Sequence, residues 1–193
     1  MKSGLSPTAA KRLMKEEQMF KDEPKDEILF IAKPRQEGTT KTYKTWDVYF
    51  LLKDDNSLYK DKVIEAELVF PGEYPIRPPT LTFITNMWHP NIYTNGKVCI
   101  SILEEDTPGP IGCGTPEDRW SPVQNIRTVL LSLVILLDNP NPDSPANVDA
   151  TKVFRNNIEE YKNKVVGLIE SEHKKSLKKE RVREMLEELK NRK

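Results

Sequence analysis

The pattern of apolar and polar positions divides the chain into a helix, four strands and a helical C-terminal part. Near the N-terminus, Ser6 is suited to cap a helix and Pro7 to start it, and a loose amphipathic pattern then runs as far as Pro24. Four β-like runs separated by turn residues come next, and they begin at Ile28, Thr45, Val63 and Thr80. Sequential strands with short connections predict an antiparallel meander.

Apolar residues at helical spacing dominate the second half of the chain. The run from Ile126 to Leu137 predicts a core-filling helix, which the Ser121-Pro122 pair is expected to start. A second apolar series extends from Thr151 to Asn191 without a proline, and an unbroken helix of that length would measure ~60 Å. Its second half should therefore project, bend or pack on a partner, with Gly167 as a weak point.

These elements predict an α+β fold with an N-terminal helix, a four-stranded antiparallel meander and C-terminal helices. We divide the chain into a core at residues 1–165 and a charged helical extension at 166–193. The segment from Lys152 to the end carries 13 basic and 8 acidic residues, whereas the whole chain has no formal net charge. This basic end would suit an acidic partner, although a solvated helix face explains the same charges.

Composition and motifs narrow the class of protein. Two cysteines do not make a disulfide framework, and they favour a reducing cytoplasmic or nuclear location. No stretch approaches the ~20 apolar residues of a membrane span, and the N-terminus has no apolar leader. The sequence contains no phosphate-binding loop, dinucleotide fingerprint or zinc-type Cys/His spacing. We therefore expect no membrane span, no nucleic-acid partner, no metal and no bound cofactor.

The candidate chemistry lies in the stretch from Met87 to Leu103. Cys99 follows an Asn95-Gly96 turn within a short apolar run, and cysteine is a strong nucleophile that forms thioesters. A buried, unreactive cysteine is the alternative interpretation. Asn91 lies eight residues upstream, where its amide would be able to donate a hydrogen bond to the oxyanion of an acyl transfer.

His89 has two interpretations. It is a candidate base for Cys99, which would make a Cys–His dyad. Its neighbours Trp88 and Pro90 favour instead a packed histidine that orients Asn91 through backbone contacts. The other histidine of the chain, His173, belongs to the basic C-terminal segment and is a poor candidate for the same site.

Five motifs, in order and spacing, resemble the ubiquitin-conjugating enzyme family. They are Tyr74-Pro-Ile-Arg-Pro-Pro79, His89-Pro-Asn-Ile92, Asn95-Gly-Lys-Val-Cys99-Ile100, Arg119-Trp-Ser-Pro-Val123 and Asn139-Pro-Asn-Pro-Asp-Ser-Pro-Ala-Asn147. The resemblance covers the chain from the first helix to about Lys164. It implies that Cys99 accepts ubiquitin as a thioester from an activating enzyme, which is the enzyme that uses ATP. Ubiquitin would then pass to a lysine or to a ligase cysteine.

The same resemblance assigns roles to the neighbours of Cys99. It implies that Asn91 stabilises the oxyanion or orders the site loop, and that His89 is its structural neighbour. Ser144 stands where many relatives carry an aspartate that helps to deprotonate the incoming lysine. The adjacent Asp143, Ser144 itself and the acidic residues of the loop after Cys99 are then the candidates for that task.

A long insert after Cys99 resembles the acidic-loop class of the family, because Trp120 follows Cys99 by 21 residues. Members of that class work with RING-type ligases and often build the lysine-linked ubiquitin chains that mark proteins for degradation. The acidic residues of the insert are Glu104, Glu105, Asp106, Glu117 and Asp118. A mobile, solvated loop without a role in catalysis is the alternative.

The family binds RING ligases through its first helix and two proline loops. Carried over by position, these contacts fall on Arg12, Ile76, Pro122 and Val123. Two features depart from the family: the turn between the second and third strands has no glycine, and the segment after Lys174 matches no family pattern. The C-terminal helix predicted at 170–193 is a candidate docking element.

Two other functions stay open on the sequence alone. One is a non-catalytic ubiquitin-binding scaffold of the same fold, although such relatives lack the cysteine that this chain has. The other is a cysteine hydrolase that uses Cys99 and His89, and it would cleave ubiquitin thioesters or isopeptides without ATP.

Overall fold

The computed structural model describes residues 4–20, 29–105 and 116–191. The strands in these ranges are β1 (Phe30–Glu37), β2 (Thr40–Phe50), β3 (Ile64–Val69) and β4 (Thr80–Phe83). The α-helices are α1 (Pro7–Met19), α2 (Ile126–Asp138), α3 (Val148–Asn156), α4 (Ile158–Ser176) and α5 (Glu180–Asn191). Of the 3-10 helices in the described ranges, Ser101–Leu103 lies just before the acidic insert and Pro116–Asp118 forms its last turn.

The four strands form one antiparallel sheet in the order β1-β2-β3-β4, so the predicted meander is confirmed. Successive side chains of a strand point to opposite faces, and β2 divides accordingly. Trp46, Val48 and Phe50 lie in the main hydrophobic core with α1 and α2, whereas Tyr49 belongs to a second cluster on the outer face. The predicted α+β architecture with an N-terminal helix and C-terminal helices is confirmed as well.

The central helix α2 begins later than the sequence predicted. Its cap is Asn125, whose side chain accepts from the backbone N–H of Thr128, while the Thr128 hydroxyl accepts from the backbone N–H of Asn125. This reciprocal pair satisfies two backbone donors at the helix start, which the Ser121-Pro122 pattern does not do. The prediction of a helix start at Ser121-Pro122 was therefore wrong, and Pro122 instead lies in an exposed turn.

The C-terminal apolar series forms three helices in place of one. The first break is at Asn157, which ends α3 and caps α4, and the second is a short turn at Leu177–Lys179. Gly167, the predicted weak point, lies within α4. The predicted boundary between residues 165 and 166 falls inside α4, and the division of the chain at that point stays a prediction.

The turn at Leu177–Lys179 lets α5 pack on the outer face of the chain's own sheet. Val182 and Met185 of α5 are fully buried there against Ile31, Tyr49 and Val63. Burial of apolar side chains is the main favourable term in such packing. The extension therefore forms a second, smaller core on the side of the sheet opposite to α2.

A buried carboxylate, Glu65 of β3, lies at the turn between α4 and α5. It is 1% exposed and accepts hydrogen bonds from Ser176 Oγ at 2.6 Å, Lys179 Nζ at 2.7 Å and Arg181 Nη2 at 2.8 Å. These donors come from the end of α4, the turn and the first turn of α5. Glu65 thus binds all three parts of the bend, and a buried charge is tolerated because it is paired and hydrogen-bonded.

Candidate active site

A tight turn fixes the segment that carries Cys99 against the edge of the sheet. Gly96 has φ +84°, and a Cβ at this position would lie 2.2 Å from the carbonyl oxygen of Phe83. Only glycine tolerates both this positive φ and the close approach of the Phe83 carbonyl. The backbone N–H of Phe83 donates to the Gly96 carbonyl at 2.8 Å, so the turn is bonded directly to the end of β4. The Asn-Gly turn noted in the sequence therefore sets the position of the residues after it.

The segment after the turn returns along the His89–Ile92 segment. Ile92 pairs with Val98 in an antiparallel bridge, and the backbone N–H of Cys99 donates to the Asn91 carbonyl at 2.9 Å. The sequence proposed that Cys99 and Asn91 form one compact site, and the structure places them side by side.

Asn91 connects Cys99 to the loop that precedes α3. Its side-chain amide donates to the carbonyl oxygens of Asn141 at 2.7 Å and Ser144 at 3.0 Å, and its side-chain oxygen accepts from the Asn141 N–H at 2.8 Å. Asn91 is 1% exposed. Both amide protons are engaged with the loop, so this geometry supports the loop-ordering role, and donation to an oxyanion would require one of these bonds to exchange.

His89 is completely buried and both of its ring nitrogens have partners. Nδ1 accepts from the Asn91 backbone N–H at 3.0 Å, and Nε2 lies 3.0 Å from the Leu136 carbonyl, to which it must donate. Burial lowers the pKa of His89 to about 4, against a smaller opposite effect of the Leu136 and Leu137 backbone. His89 is therefore neutral near pH 7 and holds Asn91 against α2, which favours the packed interpretation over the dyad.

Cys99 is half-buried, and its sulfur is disulfide-bonded in the structure. The two-cysteine composition did not predict this bond. The thiolate is the nucleophile in acyl transfer, so the bond must be reduced before Cys99 accepts an acyl group. Glu104 is the nearby acid, with its Oε1 atom 3.9 Å from Cys99 Sγ.

The acidic insert is closed at its base. The backbone N–H of Trp120 donates to the Glu104 carbonyl at 3.0 Å, and the Trp120 indole donates to the Pro75 carbonyl at 2.8 Å. Glu105 pairs with Arg77 at 2.7 Å. The remaining acidic residues of the insert are the exposed Glu117 and Asp118, and Asp106, which lies outside the described residues.

The two candidate groups for lysine activation lie on the loop that Asn91 holds. Ser144 is half-buried and its carbonyl accepts from Asn91. Asp143 is exposed, and its carboxylate accepts from Arg155 Nη2 at 2.6 Å. The structure therefore brings Cys99, Asn91 and this loop together, and it also gives Asp143 a cationic partner that the sequence did not identify.

Comparison with known proteins decides the family. The model of the ubiquitin-conjugating enzyme family matches residues 5–169. This chain belongs to the ubiquitin-conjugating enzyme family. A probable ubiquitin-conjugating enzyme E2 of Encephalitozoon cuniculi is 50% identical over 148 residues, which cover 76% of this chain and 68% of the relative.

Relatives in plants and yeast are also similar. Ubiquitin-conjugating enzyme E2 14 of Arabidopsis thaliana is 43% identical over 62% of this chain and 71% of its own length. Ubiquitin-conjugating enzyme E2 15 of Schizosaccharomyces pombe is 42% identical over 64% of this chain and 74% of its own length. The chain is thus a transferase of the ubiquitin pathway, and ubiquitin, an activating enzyme and a ligase are its general partners.

In this ubiquitin-conjugating enzyme, the apolar residues among the predicted ligase contacts lie on two loops that are each hydrogen-bonded to α1. Ile76 and Val123 are 75% and 82% exposed, and Pro122 is exposed beside Val123. Arg12 donates to the Gln124 carbonyl at 2.8 Å, which joins α1 to the loop that carries Pro122 and Val123. Exposed apolar side chains of this size, held on braced loops, are typical of a protein-binding surface.

One residue that holds this surface together, Glu16, was not among the sites predicted from the sequence. Glu16 of α1 is 2% exposed and accepts from Arg12, from the Tyr74 hydroxyl at 2.7 Å and from the Ile126 N–H at 2.7 Å. Its carboxylate thus lies at the N-terminus of α2, where the helix dipole favours a negative charge. The sequence did carry a signal for Glu16, because this acidic residue lies at helical spacing from Ala9 and Leu13 and therefore on the apolar face of α1.

No helix in the described part of the chain is long and apolar enough to cross a membrane.

Proposed function

We propose that this ubiquitin-conjugating enzyme holds ubiquitin as a thioester on Cys99 and passes it to a lysine amine. In the first step the Cys99 thiolate attacks the thioester carbonyl at the C-terminus of ubiquitin, and the thiolate of the activating enzyme leaves. In the second step the lysine amine attacks the new thioester, Cys99 leaves as a thiolate, and the amine loses a proton. No cofactor of this chain takes part in either step, because ATP is used upstream.

The observation that carries this proposal is the hydrogen-bonded connection from Cys99 through Asn91 to the loop at 141–144. The backbone of Asn91 bonds to Cys99, while its side chain bonds to Asn141 and Ser144. A nucleophile and the loop on which an acceptor amine is to be received are thereby held in a fixed relation, as acyl transfer between two large substrates requires. We assign Asn91 the task of ordering this loop and His89 that of holding Asn91.

We further propose that the enzyme works with a RING-type ligase and builds lysine-linked ubiquitin chains for protein degradation. The exposed Ile76, Pro122 and Val123 support the first part. The acidic insert supports the second, because Glu104 lies beside Cys99, where its carboxylate would accept the proton that the attacking lysine amine loses. Location in the cytoplasm or nucleus stays a prediction from the sequence.

A thioester assay tests the proposal. The protein is reduced, freed of reductant and incubated with activating enzyme, ATP and ubiquitin, and adducts are separated on a non-reducing gel. We expect an adduct that thiol reductants cleave in the wild type and none in Cys99→Ala. The second cysteine of the chain, Cys113, lies in the acidic insert, and Cys113→Ser should form the same adduct as the wild type. Cys99→Ser should give an oxyester that survives the reductant. An adduct in Cys99→Ala, or none in the wild type, would refute the assignment.

A further inference from the structure

The loop between α2 and α3 is held from two sides. On the side of Cys99, Asn91 bonds to Asn141 and Ser144. On the other side, Arg155 donates to the carbonyl oxygen of Pro142 at 3.0 Å and to the carboxylate of Asp143 at 2.6 Å. Each residue between Asn141 and Ser144 is thus bonded to one of these two side chains.

Arg155 reaches the loop because α3 follows it directly. Asn147 caps α3 by accepting from the Ala150 N–H, and Arg155 lies in the last turn of this nine-residue helix. A guanidinium group presents several N–H donors in a planar fork, so it bonds a carbonyl oxygen and a carboxylate at once. Arg155 is therefore both a mechanical brace for the loop and the counter-ion of Asp143.

Pairing with Arg155 weakens the attraction between the Asp143 carboxylate and the ammonium group of an acceptor lysine. A bare carboxylate on the loop would bind the ammonium form of lysine and stabilise it against loss of its proton. Only the neutral amine is a nucleophile, so that stabilisation opposes the transfer. A carboxylate already paired with a guanidinium attracts the ammonium less strongly and retains it less.

We propose that Arg155 is a positioning residue for the acceptor step, and that it acts by pairing with Asp143 so that the incoming lysine loses its proton near neutral pH. This inference rests on the proposed thioester function of Cys99. Other charged groups, namely Glu104 at Cys99 and Asp149 and Lys152 on α3, stay unchanged when Arg155 or Asp143 is replaced, so their effects cancel in the comparison.

The test separates loading from discharge. Each variant is first loaded with ubiquitin by the activating enzyme, and discharge to free lysine without ligase is then followed over a range of lysine concentrations and pH. In Arg155→Ala we expect the KM for lysine to fall about two- to five-fold, as expected for an exposed ion pair, and the rise of rate with pH to move to higher pH. Arg155→Lys keeps the charge and should retain the wild-type pH profile.

The matched control is Asp143→Asn, alone and combined with Arg155→Ala. If Arg155 acts through Asp143, replacing Arg155 in the Asp143→Asn background has no further effect on the pH profile. The proposal is overturned if Arg155→Ala keeps the wild-type KM and pH profile, or if it lowers kcat alone. It is also overturned if the same shift appears in the Asp143→Asn background. Failure of the wild type to load would refute the thioester function itself, which is a different result.

Discussion

Replacing Glu65 by glutamine tests whether the C-terminal extension is locked to the sheet by one buried charge. The substitution keeps the shape of the side chain but removes the charge that Lys179 and Arg181 share. The amide also turns one of the two acceptors into a donor that faces these cations. Ser176 is 3% exposed, so its hydroxyl is not rehydrated when its bond weakens.

The magnitude follows from the three contacts. A hydrogen bond to a charged group contributes about 1.5–3 kcal/mol and an ordinary one about 0.5–1.5 kcal/mol. The side chains of Lys179 and Arg181 are 41% and 42% exposed and regain water in the variant, which reduces their share of the loss. We therefore expect Glu65→Gln to lower the free energy of unfolding by about 2 kcal/mol.

The contribution of Glu65 to the free energy of unfolding should also depend on pH. Burial by itself raises the pKa of Glu65, but the hydrogen bonds from Lys179, Ser176 and Arg181 outweigh it, so the pKa lies below its ordinary value of 4.5. A carboxylate with a lowered pKa stabilises the fold above its ordinary pKa, and the stabilisation is lost as the pH falls through the folded-state value. The difference between wild type and variant should therefore be full at pH 7 and shrink below about pH 4.5.

Urea unfolding gives the global change, and hydrogen exchange of the α5 amides gives the local one. The matched control is Glu188→Gln, which removes an exposed ion pair with Lys33 and should change stability by less than about 0.5 kcal/mol. The reasoning is refuted if Glu65→Gln leaves the protection of α5 unchanged, or if it costs no more than Glu188→Gln.

Two further predictions concern the site and the partner surface. Because burial lowers the pKa of His89 to about 4, the unfolded chain takes up a proton on this histidine before the folded one does; stability should fall by up to about 3 kcal/mol as the pH drops from about 6.5 to 4. The free energy of unfolding, measured with urea at a series of pH values, should fall less steeply between about pH 6.5 and 4 in His89→Gln than in the wild type. An equally steep fall in both proteins would contradict the assignment. Replacing Ile76 and Val123 by alanine should leave unfolding within about 0.5 kcal/mol and reduce RING-stimulated discharge about tenfold, since both side chains are exposed. The control is Val166→Ala, an apolar side chain that is 47% exposed on α4, and an equal loss of discharge there would argue against a specific surface.

The parts of the fold that the sequence predicted are those with a local cause. Period-two alternation in the run that forms β3 and the turn residues between the β-like runs were sufficient for the meander. The start of α2 was not predictable from Ser121-Pro122, because the choice of cap depends on Asn125 and Thr128 bonding each other and on the Glu16 carboxylate from a distant helix. The motif around Cys99 identified the site residues by type and spacing.

The remaining features depend on contacts that are distant in sequence. The bend at Leu177–Lys179 contains no glycine or proline, and it exists because Glu65 of β3 binds residues on both sides of it. Arg155 gave no signal in the sequence, since its partner Asp143 lies twelve residues away on a loop whose shape is set by Asn91. Each of these residues acts through a partner that only the folded chain supplies.

The bond between the Glu104 carbonyl and the Trp120 N–H has a consequence for the length of the acidic insert. It closes the acidic insert at its base, so the ends of the insert keep the same separation whatever lies between them. Doubling the length of a flexible loop with fixed ends costs only about 0.6 kcal/mol of closure entropy. The insert is therefore able to change in length at little cost in closure entropy while the bond between Glu104 and Trp120 keeps its ends together.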